Sequence, residues 1–187
     1  MLESSTHNPR ASWRDIMAKH ARSTANQPSQ NKRSRIQSWL MQEGWKIGEL
    51  PITEAALWGI TATSDIGHVI IVAQPRQPTD RTIIQASVTV DDDTKRQIAA
   101  MSQEKRQEFW WRIRLGLLEM GLEFSGFAEP INLLGVSQRI YDDGLTKDEF
   151  LQRVSQVKRG VIFILWMIQR GLQQPPDDSI LDAGLIQ

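Results

Sequence analysis

Few residues in this sequence are equipped for covalent or acid–base chemistry, and their spacing keeps them apart. There is no cysteine, so disulfides, thiolate nucleophiles and cysteine-bound metals are excluded. The three histidines are His7, His20 and His68, and none belongs to a pair at metal-ligand spacing. Asp91-Asp92-Asp93 and Asp142-Asp143 concentrate carboxylates. A calcium loop needs oxygens at alternating positions, and neither run has that pattern. Both suit helix capping and turn formation instead. No glycine-rich phosphate loop and no Gly-x-Ser-x-Gly elbow occurs. No catalytic residue, cofactor or metal site is therefore assigned, and the chain is expected not to be an enzyme.

The chemistry that remains is that of surfaces, and two helical stretches carry it. Glu108 to Leu122 holds the adjacent Trp110 and Trp111. At helical spacing, Phe109, Trp110, Ile113, Leu117 and Met120 share one side, while Glu108, Arg112, Gly116 and Glu119 form a wet edge. Arg114 shares a side with Trp110, Trp111, Leu117 and Leu118. Its guanidinium there either lies over apolar neighbours or faces a partner's carboxylate. Val161 to Ile168 is apolar all round. A sheet covers one side of such a helix, so Ile162, Phe163, Trp166 and Met167 need another helix, a second subunit or the carboxy-terminal tail. Each large side chain left in water forgoes about 1.5–3 kcal/mol of burial. Trp110, Arg114, Ile162, Phe163, Trp166 and Met167 are accordingly the candidate partner or dimer-interface residues.

These helices must be positioned by the rest of the chain. Residues 1–31 read as a flexible basic arm, with a short helix over 9–22 and a polar linker after it. Residues 1–35 carry Arg10, Arg14, Lys19, Arg22, Lys32, Arg33 and Arg35 against Glu3 and Asp15. Residues 32–172 read as a single α+β domain. Its first helix runs from Asn31 to Gly44, with Ile36, Trp39, Leu40 and Met41 as its apolar side. Strands are expected at Lys46 to Ile52, Ala56 to Thr63, Gly67 to Gln74 and Arg81 to Asp91. The run Val69-Ile70-Ile71-Val72 suggests burial on both faces. The connections are too short for parallel crossovers, so the strands form an antiparallel meander.

Asp91 to Thr94 caps a short helix reaching Met101, and Ser102 caps the central helix. Two further strands follow at Glu123 to Glu129 and Ile131 to Tyr141, with Gln138 interrupting the apolar parity of the second. Thr146 and Glu149 form a capping box for the last helix, which reaches about Arg170. Phe150, Val154, Val157, Val161, Leu165 and Ile168 are expected along its buried face. Residues 173–187 form an acidic tail with Ile180, Leu181, Leu185 and Ile186 available for packing. The fold class is thus α+β, an antiparallel sheet covered by helices in the order α-β-β-β(-β)-α-β-β-α.

That order over residues 32–172, with Gly44-Trp45 after the first helix and the aromatic-rich second helix, resembles the type III secretion chaperone-like fold. The YbjN-like group of small bacterial proteins is included in that resemblance. It implies a homodimer that binds partner polypeptides without catalysing a reaction. This chain departs from the secretion chaperones in lacking their marked acidity, since 22 basic and 22 acidic residues balance.

The expected function is therefore a non-enzymatic protein- or peptide-binding module, chaperone-like or adaptor in type, and homodimeric. The alternative is a nucleic-acid or acidic-partner adaptor acting through the basic arm, although zero net charge is unusual for a nucleic-acid binder. The longest apolar run, eight residues from Val161 to Ile168, is far short of the ~20 a membrane span needs. With no apolar leader at the amino terminus, a soluble cytoplasmic protein is expected.

Overall fold

The computed structural model describes residues 31–51 and 53–173. The expectations for the arm through residue 30, for Ile52 and for the tail from residue 174 lie outside them. A first helix, α1, runs through residues 31–42 and buries Ile36 and Leu40 completely. Gly44 follows at φ +80°, a left-handed conformation that ends the helix and that side chains resist. The Trp45 amide then donates back to the Leu40 carbonyl at 3.0 Å and turns the chain into the sheet.

Six strands follow: β1 (Lys46–Glu49), β2 (Ala56–Thr63), β3 (Val69–Pro75), β4 (Arg81–Thr89), β5 (Glu123–Ser125) and β6 (Leu133–Tyr141). Three more helices accompany them: α2 (Asp92–Ala99), α3 (Gln103–Glu119) and α4 (Lys147–Gln173). The sheet order is β1-β2-β3-β4-β6-β5, and every neighbouring pair is antiparallel. The α+β class and the antiparallel meander read from the sequence are what the fold shows. The longest ladder joins β4 to β6, from Arg81 opposite Tyr141 to Thr89 opposite Leu133.

Helices cover one face of this sheet. Ile60, Ala62, Ile70, Val72, Ile84, Ala86, Leu134 and Val136 point into the core, and α4 lies across β4 and β6. The opposite face has no helical cover among the described residues. The expectation that Val69 to Val72 is buried on both faces is therefore corrected. Ile70 and Val72 are buried, Ile71 is half-buried and Val69 is 51% exposed. A continuous apolar run can arise from a strand with one roofed face when the open face is only thinly apolar.

Strand lengths needed correction where the chain turns. β1 stops at Glu49, since Pro51 has no N–H to give the ladder. β5 has three residues and not seven, because Gly126 adopts φ +84° and leads the chain out of the sheet. A Cβ there would lie 1.8 Å from the Leu133 carbonyl oxygen, so only glycine fits. Gln138 keeps the inward parity instead of breaking it and is 6% exposed. Its amide nitrogen donates to the Gly121 carbonyl, and its oxygen accepts from the Arg153 guanidinium at 3.2 Å. A buried amide is tolerated because both of its ends are paired.

The buried face of α4 is also corrected. It comprises Phe150, Val154, Val157, Gly160, Ile164 and Ile168, while Leu165 is 46% exposed. Successive four-residue steps drift about 40° around a helix, so a chain of them from Val157 rotates off the core by Leu165. The true stripe mixes steps of three and four. At its start, Thr146 Oγ1 accepts from the Glu149 amide at 3.2 Å as the capping box requires. The Glu149 carboxylate pairs with Arg153 rather than closing the box.

Candidate functional site

Helices α3 and α4 lie side by side above the sheet, and glycines set how closely they approach. A Cβ on Gly116 would sit 2.3 Å from the Phe163 ring, and one on Gly171 would sit 2.4 Å from the Phe109 ring. Gly160 faces Leu122 and Leu117 in the same way. These contacts pair early α3 with late α4, so the two helices are antiparallel. Gly116, assigned to the wet edge from its spacing, is in fact a contact point beneath an aromatic ring. The remaining members of that edge do face water, and Glu108 pairs with Arg112 at 2.6 Å. Met120, expected in the core, is 38% exposed because it is the residue that caps α3.

The six candidate residues do not share one surface. Phe163 and Met167 are half-buried and pack against the core beside α3. Trp110 is 5% exposed, with its ring edge-on to Phe127 at 5.9 Å. Arg114 is half-buried, donates from Nε to the Trp110 carbonyl at 3.2 Å, and holds its guanidinium 6.0 Å from the Phe127 ring centre. Of the two readings of Arg114, the geometry matches a stem lying over apolar neighbours. Ile162 is half-buried and Trp166 is 69% exposed.

Three residues outside the candidate set complete the exposed side. Trp111 (58% exposed), Leu115 (44%) and Leu118 (58%) follow one another at spacings of four and three along the outer side of α3. The signal was present in the sequence, but the inward set hid it. With Gly116 against Phe163 and Gly171 against Phe109, Leu115 stands level with Trp166, and Leu118 stands level with Ile162. On α3, however, Glu108, Arg112 and Glu119 share the side of Gly116 that meets Phe163, so this charged edge lies between the apolar stripe of α3 and Trp166 of α4. Arg159 and Arg170 are the exposed bases on α4.

A second feature lies on the other flank of α3. A cleft of about 610 Å³ is lined by Val90, Ile98, Trp110 and Ile131, with Lys95 and Arg106 among its polar residues. Arg106 pairs with Glu129 at 3.1 Å and Lys95 with Asp92 at 2.9 Å. Among the described residues, four buried side-chain polar atoms lack a hydrogen-bond partner: Arg33 Nε, His68 Nδ1, Thr82 Oγ1 and Trp110 Nε1. Trp110 is the one of these that lines the cleft.

The remaining charged groups serve the fold. Asp91 caps α2 through a 2.8 Å bond from the Thr94 amide, which holds its carboxyl below the ordinary carboxylate value. A hydrogen bond to Glu123 raises the Arg139 pKa above its ordinary value. Lys32 joins Asp142, Arg33 joins Glu49, and the Arg35 guanidinium sits 5.0 Å from the Trp39 ring centre. Three of the seven bases counted toward the arm are thus engaged within the domain. Among the described residues, no group of three or more His, Asp or Glu side chains is placed to hold a metal ion. Nor, among them, is any helix long and apolar enough to cross a membrane.

Residues 32–168 match a family described as an uncharacterized conserved protein, DUF2299. The chain belongs to this family. A crystal structure of an uncharacterized protein from Methanothermobacter thermautotrophicus is similar at TM-score 0.68 and 30% identity, covering 74% of this chain and 96% of that one. The crystal structure of the ExsC–ExsE complex is similar at TM-score 0.39 and 15% identity, covering 63% of this chain and 78% of that one. Likeness at that level bears on neither partner nor activity. No curated protein matches the chain. The YbjN-like resemblance gains no support from these matches.

Proposed function

We propose that this DUF2299 chain is a non-catalytic protein-binding module of chaperone-like or adaptor type, and that it works as a homodimer joined through the outer side of α3 and α4. The observation that supports this reading is the stripe of exposed apolar side chains Trp111, Leu115 and Leu118 on α3, with Trp166 exposed on the neighbouring α4. Trp111, Leu115 and Leu118 together leave roughly 350 Å² of apolar surface in water, within the range of patches that are often functional. A standard interface buries about 800 Å² per partner, and this stripe would form its apolar centre with the charged side chains beside it supplying the remainder.

A second copy is the occupant that the charge pattern suits. The charged edge beside the stripe carries Glu108, Arg112 and Glu119 on α3, and Arg159 and Arg170 are exposed on α4. Across a two-fold axis an acid of one copy away from the axis can meet a base of the other, and the reciprocal pair then forms as well, so a surface of mixed charge can complement itself. The alternative reading, an acidic or nucleic-acid partner held by residues 1–31, rests on chain outside the described residues.

Sedimentation of the full chain tests the proposal. The expected species is a dimer, and Leu115→Glu or Trp166→Glu converts it to a monomer with unchanged circular dichroism. A strict monomer at high concentration, or a dimer that survives both folded variants, overturns it.

A further inference from the structure

The cleft beside α2 lies on a different flank of α3 from the proposed dimer face, and it carries its own chemistry. Trp110 and Trp111 are neighbours in sequence, yet Trp110 lines the cleft while Trp111 is exposed. The lining comes from four stretches of chain, the first being Val90 just after β4. Lys95, Ile98 and Ala99 come from α2, Arg106 and Trp110 from α3, and Glu129 to Ile131 from the segment before β6. Its volume falls within the range of sites that take small organic ligands. Val90, Ile98, Ile131 and Trp110 are buried and apolar.

Polar groups on the cleft favour an anion. Lys95 and Arg106 both line it, and Glu129 is the single acid on the lining. The Arg106 side chain is 26% exposed while that of its partner Glu129 is 64% exposed, so the guanidinium is the more enclosed member of the pair. Asp92, the partner of Lys95, is 91% exposed and gains little from the pairing. Either cation can exchange a well-hydrated carboxylate for one brought in on an apolar body, where less water competes. Trp110 lines the cleft with its ring, and its Nε1 is buried without a partner among the described residues.

We propose that this cleft is a binding site for an apolar group bearing a carboxylate. Lys95 and Arg106 take the charge, and the Trp110 ring with Val90, Ile98 and Ile131 holds the apolar body. The same chemistry is available from a free organic acid and from an acidic side chain next to an apolar one in a polypeptide.

Calorimetric titration of the full chain separates these sources. One arm uses 4-phenylbutyrate, and the other uses the blocked peptide acetyl-Leu-Ile-Glu-Leu-amide. Saturable one-to-one binding in either arm is expected, identifying the free acid or the peptide as the source. Replacing 4-phenylbutyrate by 4-phenylbutanamide, or the peptide's glutamate by glutamine, weakens binding about tenfold, as loss of a charge-assisted hydrogen bond does. Lys95→Met and Trp110→Phe each weaken it severalfold with unchanged circular dichroism, whereas Trp111→Phe leaves it intact. The proposal is overturned if neither probe saturates, if the amide and glutamine forms bind as well as the acids, or if both cleft variants bind like the parent. Because the readout is affinity and not subunit number, its failure leaves the dimer proposal standing, and the reverse holds.

Discussion

Replacing Gly116 by alanine sets helix propensity against packing, and the geometry says which wins. Alanine in mid-helix is favoured over glycine by about 0.5–1 kcal/mol, so an open site would gain stability. Gly116 is not open. The new Cβ would lie 2.3 Å from Phe163 Cζ and 2.8 Å from Cε1. Ordinary carbon contact begins near 3.5 Å, so the ring tip must retreat by about 1.2 Å. Phe163 is half-buried and packed against the core, and a rigid ring cannot fold away as a lysine tip would. Overpacking of this kind costs about 1–3 kcal/mol. The net expectation is a loss of roughly 0.5–2 kcal/mol, seen as a lower midpoint in urea at unchanged slope. Phe163→Leu shortens the opposing side chain, so adding Gly116→Ala to that variant should cost little or even stabilise, giving a coupling term in the double-mutant cycle. A single Gly116→Ala variant more stable than the parent would show that the helices are not held at this distance by the glycine.

Gln138→Leu should lower stability by about 1–3 kcal/mol in thermal or urea unfolding, since it strands the Gly121 carbonyl and removes an acceptor from Arg153. Arg153 keeps Glu149, so the loss should be nearer the lower end. Asp91 ionises more readily in the folded state than its ordinary value of 3.8, through the Thr94 amide bond. Its contribution is therefore present above pH 3.8 and lost as pH falls through the lower folded value. Urea unfolding of Asp91→Asn should show a shallower loss of stability over that acid range than the parent, and identical slopes would refute the assignment.

Much of the fold was legible because it depends on local pattern. Ala56 to Thr63 was placed without error from alternation, and β4 from the inward set Ile84, Ala86 and Val88. Ser102, Thr146 and Gly44 marked helix ends because capping is a property of a few adjacent residues. Errors arose where a distant element decides. Gln138 looked like a break in an apolar strand because its partners, Gly121 and Arg153, are 17 and 15 residues away in sequence. Gly116 looked like a gap in a polar edge because Phe163 arrives from another helix. Trp111, Leu115 and Leu118 were overlooked as a set because periodicity shows that apolar side chains share a side and not whether anything covers it.

The amino-acid order by itself determined the α+β class, the antiparallel pairing, the helix caps and the absence of thiol chemistry, all of which follow from short-range stereochemistry and residue type. Tertiary structure alone decided which apolar side chains are spare. Trp110 and Phe163 are consumed by packing, while Trp111, Leu115 and Trp166 are left in water. It also gathered Lys95, Arg106 and Trp110 around one cleft. Burial is a relation between elements, fixed by where the α3–α4 pair sits on the sheet, and no window of sequence contains that distance.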